Sequence, residues 1–257
     1  SAKNGLKGAI IKFPSISVGA TENAILAAVT AKGKTIISNC AIEPEIQDMI
    51  VFLKKMGCNI NFIGQRKILI TGIKEFKRAS HEIIFDRIEL GTYLIAAALA
   101  GKKVIFLKIK TKIIENEIKL LKKMGVKMNI EKNKITVFES GKINNVNVKT
   151  EPYPGFPTDL QAQIMVLMSR AAGISKITEN IFENRFMHVP ELRRMGAKII
   201  TKKNVAFISG PVNLSGAEVM ATDLRASVSL VLAALIAENR TTINRVYHLD
   251  RGYENLE

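Results

Sequence analysis

The chain has 257 residues, 47% hydrophobic and 24% charged, and a formal net charge of +15 from 38 Lys plus Arg against 23 Asp plus Glu. That balance describes a folded protein able to bury a full core, and it excludes a disordered tail, a collagen-like fibre or a miniprotein. No run approaches the ~20 apolar residues of a membrane span, and residues 1–12 lack the basic-then-apolar plan of a signal peptide, so a cytoplasmic protein without a membrane partner is expected.

In chain order, an Ala-rich helix is predicted over about residues 21–30, then a strand at 34–37 and a second helix ending in Leu53-Lys-Lys-Met-Gly57. Strands follow at 59–63 and 68–70, where apolar residues alternate. The plan then restarts with a helix at 91–100, a strand at 104–106, a helix ending in Leu121-Lys-Lys-Met-Gly125, and strands at 127–130 and 135–138. A third pass has a helix at 158–171, a strand at 175–178, a helix ending in Leu192-Arg-Arg-Met-Gly196 and a strand at 198–200. A fourth begins with a helix at 222–237 and a strand at 241–244.

The three helix-ending glycines, at 57, 125 and 196, recur at intervals of 68 and 71 residues. Each stands where a helix C-cap takes a left-handed backbone. The repeat is therefore a β-α-β-α-β-β unit, longer than common solenoid periods. Its first helix is apolar nearly all round and is expected in the middle of a domain, while the Lys-bearing second helix keeps one wet face. The last unit stops before its second helix, so the sequence reads as a piece of a longer protein.

Lysine pairs such as Lys54-Lys55, Lys122-Lys123 and Lys202-Lys203 are spread along the chain rather than gathered in one run. This points to compositional bias and to favourable encounter with anionic small molecules more than to a nucleic-acid patch. Cys40 and Cys58 have neither a second sulfur nor a His at ligand spacing and are expected as buried, reduced thiols. His81, His188 and His248 show no metal-ligand interval, and structural roles are expected for His188 and His248.

The junctions between units are the most specific stretches. Pro154-Gly-Phe-Pro-Thr-Asp-Leu-Gln-Ala-Gln163, Phe182-Glu-Asn-Arg-Phe-Met-His188, Ala221-Thr-Asp-Leu-Arg-Ala226 and Tyr247-His-Leu-Asp-Arg-Gly-Tyr253 closely resemble the UDP-N-acetylglucosamine 1-carboxyvinyltransferases. Ser17-Val-Gly-Ala-Thr21, Glu43-Pro-Glu45 and Asp86-Arg-Ile-Glu-Leu-Gly-Thr92 resemble that enolpyruvyl transferase family too, and the resemblance runs through all 257 residues in order.

The resemblance implies an α/β fold of two globes, each an inside-out α/β barrel of three βαβαββ units with substrates in the cleft between them. Residues 1–84 would be the last unit of the first globe. Residues 85–257 would be the second globe, with two full units and a truncated third. A Lys-Asn pair and a loop bearing a Cys proton donor lie upstream in the family and have no counterpart here.

The implied reaction joins the 3-hydroxyl of UDP-N-acetylglucosamine to C2 of phosphoenolpyruvate, passes through a tetrahedral ketal and expels phosphate. It begins peptidoglycan precursor synthesis and requires no cofactor or metal. The chain alone, lacking the family's acid, is expected to be inactive, and its missing N-terminal segment is a candidate partner in trans.

Asp159 matches the family's carboxylate beside the sugar hydroxyl, the general base, although Thr158 and Asp159 also precede a helix and suit an N-cap. Arg185, Arg225 and Arg251 match arginines lining the phosphoenolpyruvate site, where a planar, permanently charged fork grips carboxylate or phosphate. Asp223 is either a cap or an orienting group for Arg225. Ser15, Ile16, Ser17, Val18 and Gly19 match a turn contacting the nucleotide, at a helix entry where free N–H groups favour anionic oxygen. Thr158 belongs with the substrate-binding set, as do Ile181, by its backbone, and Phe182, on the sugar ring. The alternatives are the shikimate-pathway enolpyruvyl transferase, which shares the fold and chemistry, and a non-catalytic basic nucleic-acid-binding relative.

Overall fold

Residues 3–253 and 256 are described in the computed structural model, and their contacts separate into two units, the first ending at Ile84 and the second beginning at Phe85. Ser1 and Ala2 lie outside the described residues.

The first unit runs β1 (Ile10–Lys12), α1 (Val18–Ala28), β2 (Lys34–Ser38), α2 (Pro44–Lys55), β3 (Asn59–Gly64) and β4 (Lys67–Thr71). Its sheet has the order β1-β2-β4-β3, with β1 parallel to β2 across the α1 crossover and the other pairs antiparallel. Alternation in β2 and β4 sends Thr35, Ile37, Ile68 and Ile70 inward, where the apolar ones pack in one cluster with Ile46, Ile50 and Leu53 of α2. Pro44 starts α2 with its φ already helical, and Lys54 and Lys55 sit at the negative end of its dipole. Gly57, at φ +94°, ends it.

One expectation fails here. α1 buries only Thr21, Ile25 and Ala28, and Leu26 is 51% exposed. The unit offers one sheet and one other helix, which is too little surface to cover an apolar helix on every side.

The second unit contains α3 (Arg87–Ala100), β5 (Lys103–Leu107), α4 (Glu115–Lys123), β6 (Met128–Glu131), β7 (Lys134–Phe138), β8 (Ile143–Asn144), β9 (Asn147–Lys149), α5 (Gln161–Ser169), β10 (Ala171–Thr178), α6 (Val189–Arg194), β11 (Lys198–Lys202), β12 (Val205–Gly210), β13 (Glu218–Met220), α7 (Leu224–Ala234) and β14 (Thr242–Asn244). Short 3-10 turns cover Thr111–Ile114, Thr158–Leu160 and Val246–Arg251.

The repeat is visible in the pairing. β9 runs parallel to β10, which pairs antiparallel with β12, and β12 with β11, the same order as β1-β2-β4-β3. The sheet β5-β7-β6 repeats the antiparallel part, and β13 beside β14 repeats the parallel part. Gly125 and Gly196 end α4 and α6 at φ +90° and +94°, as their spacing predicts.

Helix α5 packs between α3 and α7, and the inward residues of the surrounding strands join them in one core. All nine residues of α5 are buried, which accounts for a helix with no polar stripe. Five of them (Ile164, Met165, Val166, Leu167 and Met168) are at most 1% exposed, each contributing roughly 1.5–3 kcal/mol by burial. Central helices with sheets outside are the inside-out arrangement, built here from separate sheets rather than one closed barrel. Among the described residues no helix is long and apolar enough to cross a membrane.

Candidate functional site

In the second unit the parallel pairing of β9 with β10 brings Thr150 beside Thr178, whose carbonyl accepts the Thr150 N–H at 2.9 Å. The next residue, Glu179, is 2% exposed. Its carboxylate accepts from Thr150 Oγ1 at 2.8 Å, from Thr158 Oγ1 at 2.9 Å, and from the backbone N–H groups of Ile181 at 2.9 Å and Phe182 at 3.1 Å.

Thr158 in turn accepts from Arg185 Nη1 at 2.7 Å, and Arg185 Nη2 donates to Asp159 Oδ1 at 2.6 Å. Arg225 Nη2 lies 3.7 Å from the other oxygen of Asp159. The Arg185 guanidinium stands 4.8 Å over the Phe182 ring. Two guanidinium groups thus flank one carboxylate that is still 37% exposed.

Neither Thr158 nor Asp159 caps a helix. The N-cap positions fall on Pro157 and Leu160, neither of which makes a side-chain cap bond. The hydroxyl of Thr158 and the carboxylate of Asp159 are taken by Glu179, Arg185 and Arg225 instead. Asp223 does cap: its Oδ1 accepts from the N–H groups of Arg225 at 2.8 Å and Ala226 at 2.9 Å. That cap holds the first turn of the helix, from which the Arg225 side chain leaves.

A closed cleft, too narrow to admit a water, lies among Thr158, Gln161, Arg185, His188, Asp223 and Arg225, with Ala162 and Ala226. Arg225 Nη1 and Gln161 Nε2 are buried there without a hydrogen-bond partner among the described residues. Excess buried donors beside two guanidinium groups suit an anionic oxygen. His188 is buried at the start of α6, and its imidazole is pushed down to about 4, chiefly by desolvation and secondarily by Arg185, against an opposing pull from Asp223. It is a neutral ring at neutral pH.

Gln163, on α5, donates both to the Asp159 carbonyl at 2.9 Å and to Thr92 Oγ1 at 3.2 Å. Thr92 in turn contacts the Tyr253 hydroxyl at 3.0 Å. Sequence reasoning did not single out Glu179 or Gln163. Only their positions, one residue past a predicted strand and on an apolar helix, hinted at burial.

Arg251 does not join the cluster. It ends the 3-10 turn Val246–Arg251, is exposed, and makes no hydrogen bond or ion pair among the described residues. Its turn is anchored by Leu249 and Tyr253, which pack on Val228 and Leu224 of α7. Ile181 and Phe182 are 36% and 55% exposed, with their backbone held by Glu179.

The remaining candidates lie in the first unit. Ser15 is exposed and Ile16 half-buried, Ser17 caps α1 by accepting from the Ala20 N–H at 3.3 Å, and Val18 begins the helix. Nothing lies within 4 Å of where a Gly19 side chain would start, so that backbone is open. Cys40 and Cys58 are free and buried, and burial raises both thiols above their ordinary value, which keeps them inert.

Solved structures share this architecture. The enolpyruvyl transferase NikO from Streptomyces tendae superposes with a TM-score of 0.86 at 29% identity, over 93% of this chain and 57% of that one. EPSP synthase from Acinetobacter baumannii reaches 0.75 at 17% identity, over 97% and 61%, a likeness of fold. The fold is that of the enolpyruvyl transferases. Residues 2–257 match the family described as EPSP synthase (3-phosphoshikimate 1-carboxyvinyltransferase), and the chain belongs to it.

Among curated relatives, the UDP-N-acetylglucosamine 1-carboxyvinyltransferase of Pelagibacter ubique (strain HTCC1062) is 58% identical over 257 residues, which are 100% of this chain and 62% of that protein. The enzyme of the same name from Rickettsia prowazekii (strain Madrid E) is 52% identical over 257 residues, again 100% of this chain and 61% of its own length. The chain therefore spans about three fifths of the length of the curated relatives it matches.

Proposed function

We propose that the chain is the larger part of a cytoplasmic transferase that moves the enolpyruvyl group of phosphoenolpyruvate to the 3-hydroxyl of UDP-N-acetylglucosamine, at the start of peptidoglycan precursor synthesis. The observation that carries this reading is the Asp159 carboxylate held between Arg185 and Arg225. In the reaction the sugar oxygen bonds to C2 of phosphoenolpyruvate, the hydroxyl proton leaves to a base, and the methylene carbon gains a proton. The ketal then loses a methyl proton and its bond from C2 to the phosphate oxygen.

Asp159 is the base. Its carboxylate is 37% exposed, and Arg185 and Arg225 fix the orientation of its two oxygens, one on each side. Arg225 Nη1, buried without a hydrogen-bond partner among the described residues, takes an anionic oxygen of the second substrate once the cleft around it opens. By the resemblance alone, Arg251, which stands outside the cluster in this arrangement, serves the same substrate, and Ser15 to Gly19 the nucleotide. Residues 1–84 are the last repeat of one globe, and residues 85–257 most of the other. The acid comes from the Cys-bearing loop that has no counterpart in this sequence.

The test is calorimetric binding of UDP-N-acetylglucosamine and of shikimate 3-phosphate to the 257-residue chain, with phosphate release from phosphoenolpyruvate measured beside it. Binding of the UDP-sugar alone, with no turnover, is expected. Binding of shikimate 3-phosphate alone would move the assignment to the shikimate enzyme. Sugar-dependent release abolished in Asp159→Asn would keep the transferase and remove the need for an outside acid.

A further inference from the structure

We propose that Glu179 is the positioning residue of this site, setting the Arg185 guanidinium through the hydroxyl of Thr158 and, with the same carboxylate, the backbone of Ile181 and Phe182. What the site then does rests on the transferase reading; the positioning itself does not. A carboxylate 2% exposed is costly to bury unless every lone pair is used. Glu179 uses four donors, divided unevenly. Oε1 takes the Thr150 hydroxyl and both backbone N–H groups, whereas Oε2 takes only Thr158 among the described residues.

That division fixes the direction of the relay. Thr158 gives its one proton to Glu179, which leaves its oxygen lone pairs facing Arg185 Nη1 at 2.7 Å. Arg185 is thereby gripped at both tips, Nη1 by Thr158 and Nη2 by Asp159 at 2.6 Å. Its plane over the Phe182 ring is fixed from the other side, because Glu179 also holds the Phe182 N–H at 3.1 Å. One buried carboxylate therefore aligns an arginine and the ring beneath it.

Glu179→Gln separates these functions. The amide oxygen goes to the three-donor side and keeps Thr150, Ile181 and Phe182, while the NH2 turns toward Thr158. Thr158 then faces two donors and its own proton has no acceptor.

Hydrogen exchange at the Arg185 guanidinium, read by 15N NMR on the chain without substrate, tests this. In Glu179→Gln it is expected to speed up by more than about twofold, because Thr158 keeps a lone pair for Arg185 Nη1 but loses the acceptor that held its proton and set its orientation, with the Ile181 and Phe182 amide shifts kept. Thr158→Val, which removes the bond to Arg185 Nη1 altogether, should accelerate exchange by about tenfold, the scale of one charge-assisted hydrogen bond, while leaving Glu179 in place, and the double variant should add nothing further to that. Thr150→Val, on the far side of Glu179, should lower the melting temperature without touching Arg185.

Arg185 exchange within twofold of wild type in folded Glu179→Gln would overturn the proposal. If that variant does not fold, unchanged exchange in Thr158→Val overturns it as well, as does equal acceleration in Thr150→Val, which would mean general loosening. Because no substrate is present, failure of the transferase reading would appear separately, as absent UDP-sugar binding.

Discussion

His188 makes the stability of the second unit depend on pH in a window away from most carboxylates. Its ring is 2% exposed, Nε2 has no hydrogen-bond partner among the described residues, and its folded value lies at about 4 against 6.5. Between those two values the unfolded chain holds a proton that the folded chain refuses, so stability falls as pH drops through the window and is level below it. The whole gap corresponds to roughly 3 kcal/mol, of which about 2 kcal/mol is lost between pH 7 and pH 5.

Urea unfolding of wild type and His188→Gln at those two pH values measures this directly. The variant carries a constant packing penalty, so only the difference in slope counts. Wild type is expected to lose about 2 kcal/mol more than the variant on acidification. Equal losses would refute the reasoning and mean that Asp223 compensates the buried charge in full.

Four other substitutions follow from the structure. Ala at Gly196 meets only the Asn213 carbonyl at 3.6 Å, so its cost is the left-handed backbone at φ +94°, about 1–2 kcal/mol. Ala at Gly125 adds the Lys142 carbonyl at 3.1 Å and should melt lower than Gly196→Ala by differential scanning calorimetry; the reverse order would contradict the cap geometry. Met165→Ala, at a 0% exposed position of α5, should cost about 2–5 kcal/mol in urea unfolding. A loss under about 1 kcal/mol would mean that α5 is not at the centre of the core. Arg185→Lys cannot bridge Thr158 and Asp159 together and should weaken UDP-sugar or phosphoenolpyruvate binding by about tenfold in calorimetry, with little change in melting temperature. Unchanged affinity would remove Arg185 from the site.

Local order was legible because its causes are local. Gly57, Gly125 and Gly196 each follow a Leu-basic-basic-Met helix end, and a left-handed residue is the cheapest way to stop a helix, so the repeat and its phase were written in the chain. The burial of α5 was legible for the same reason, since a helix with no polar face has to be covered. The junction arginines 185 and 225 stood out by residue type among many lysines, whereas Asp159 was marked only by the resemblance of its motif to the family's.

What the chain could not show are the contacts between residues far apart in it. Whether Thr158 and Asp159 cap a helix or face an arginine depends on where β10 delivers Arg185, 26 residues later. Glu179 becomes a hub only because parallel pairing sets Thr150 beside it from 29 residues upstream. Arg251, equal to its fellow arginines in sequence, ends on an exposed turn, and α1, as apolar as α5, stays half-uncovered because burial depends on the neighbours a helix finds. Sequence fixed helix ends, repeat length and residue chemistry through short-range sterics and periodicity; only the packing of distant segments decided which charges meet, and so which ones can act.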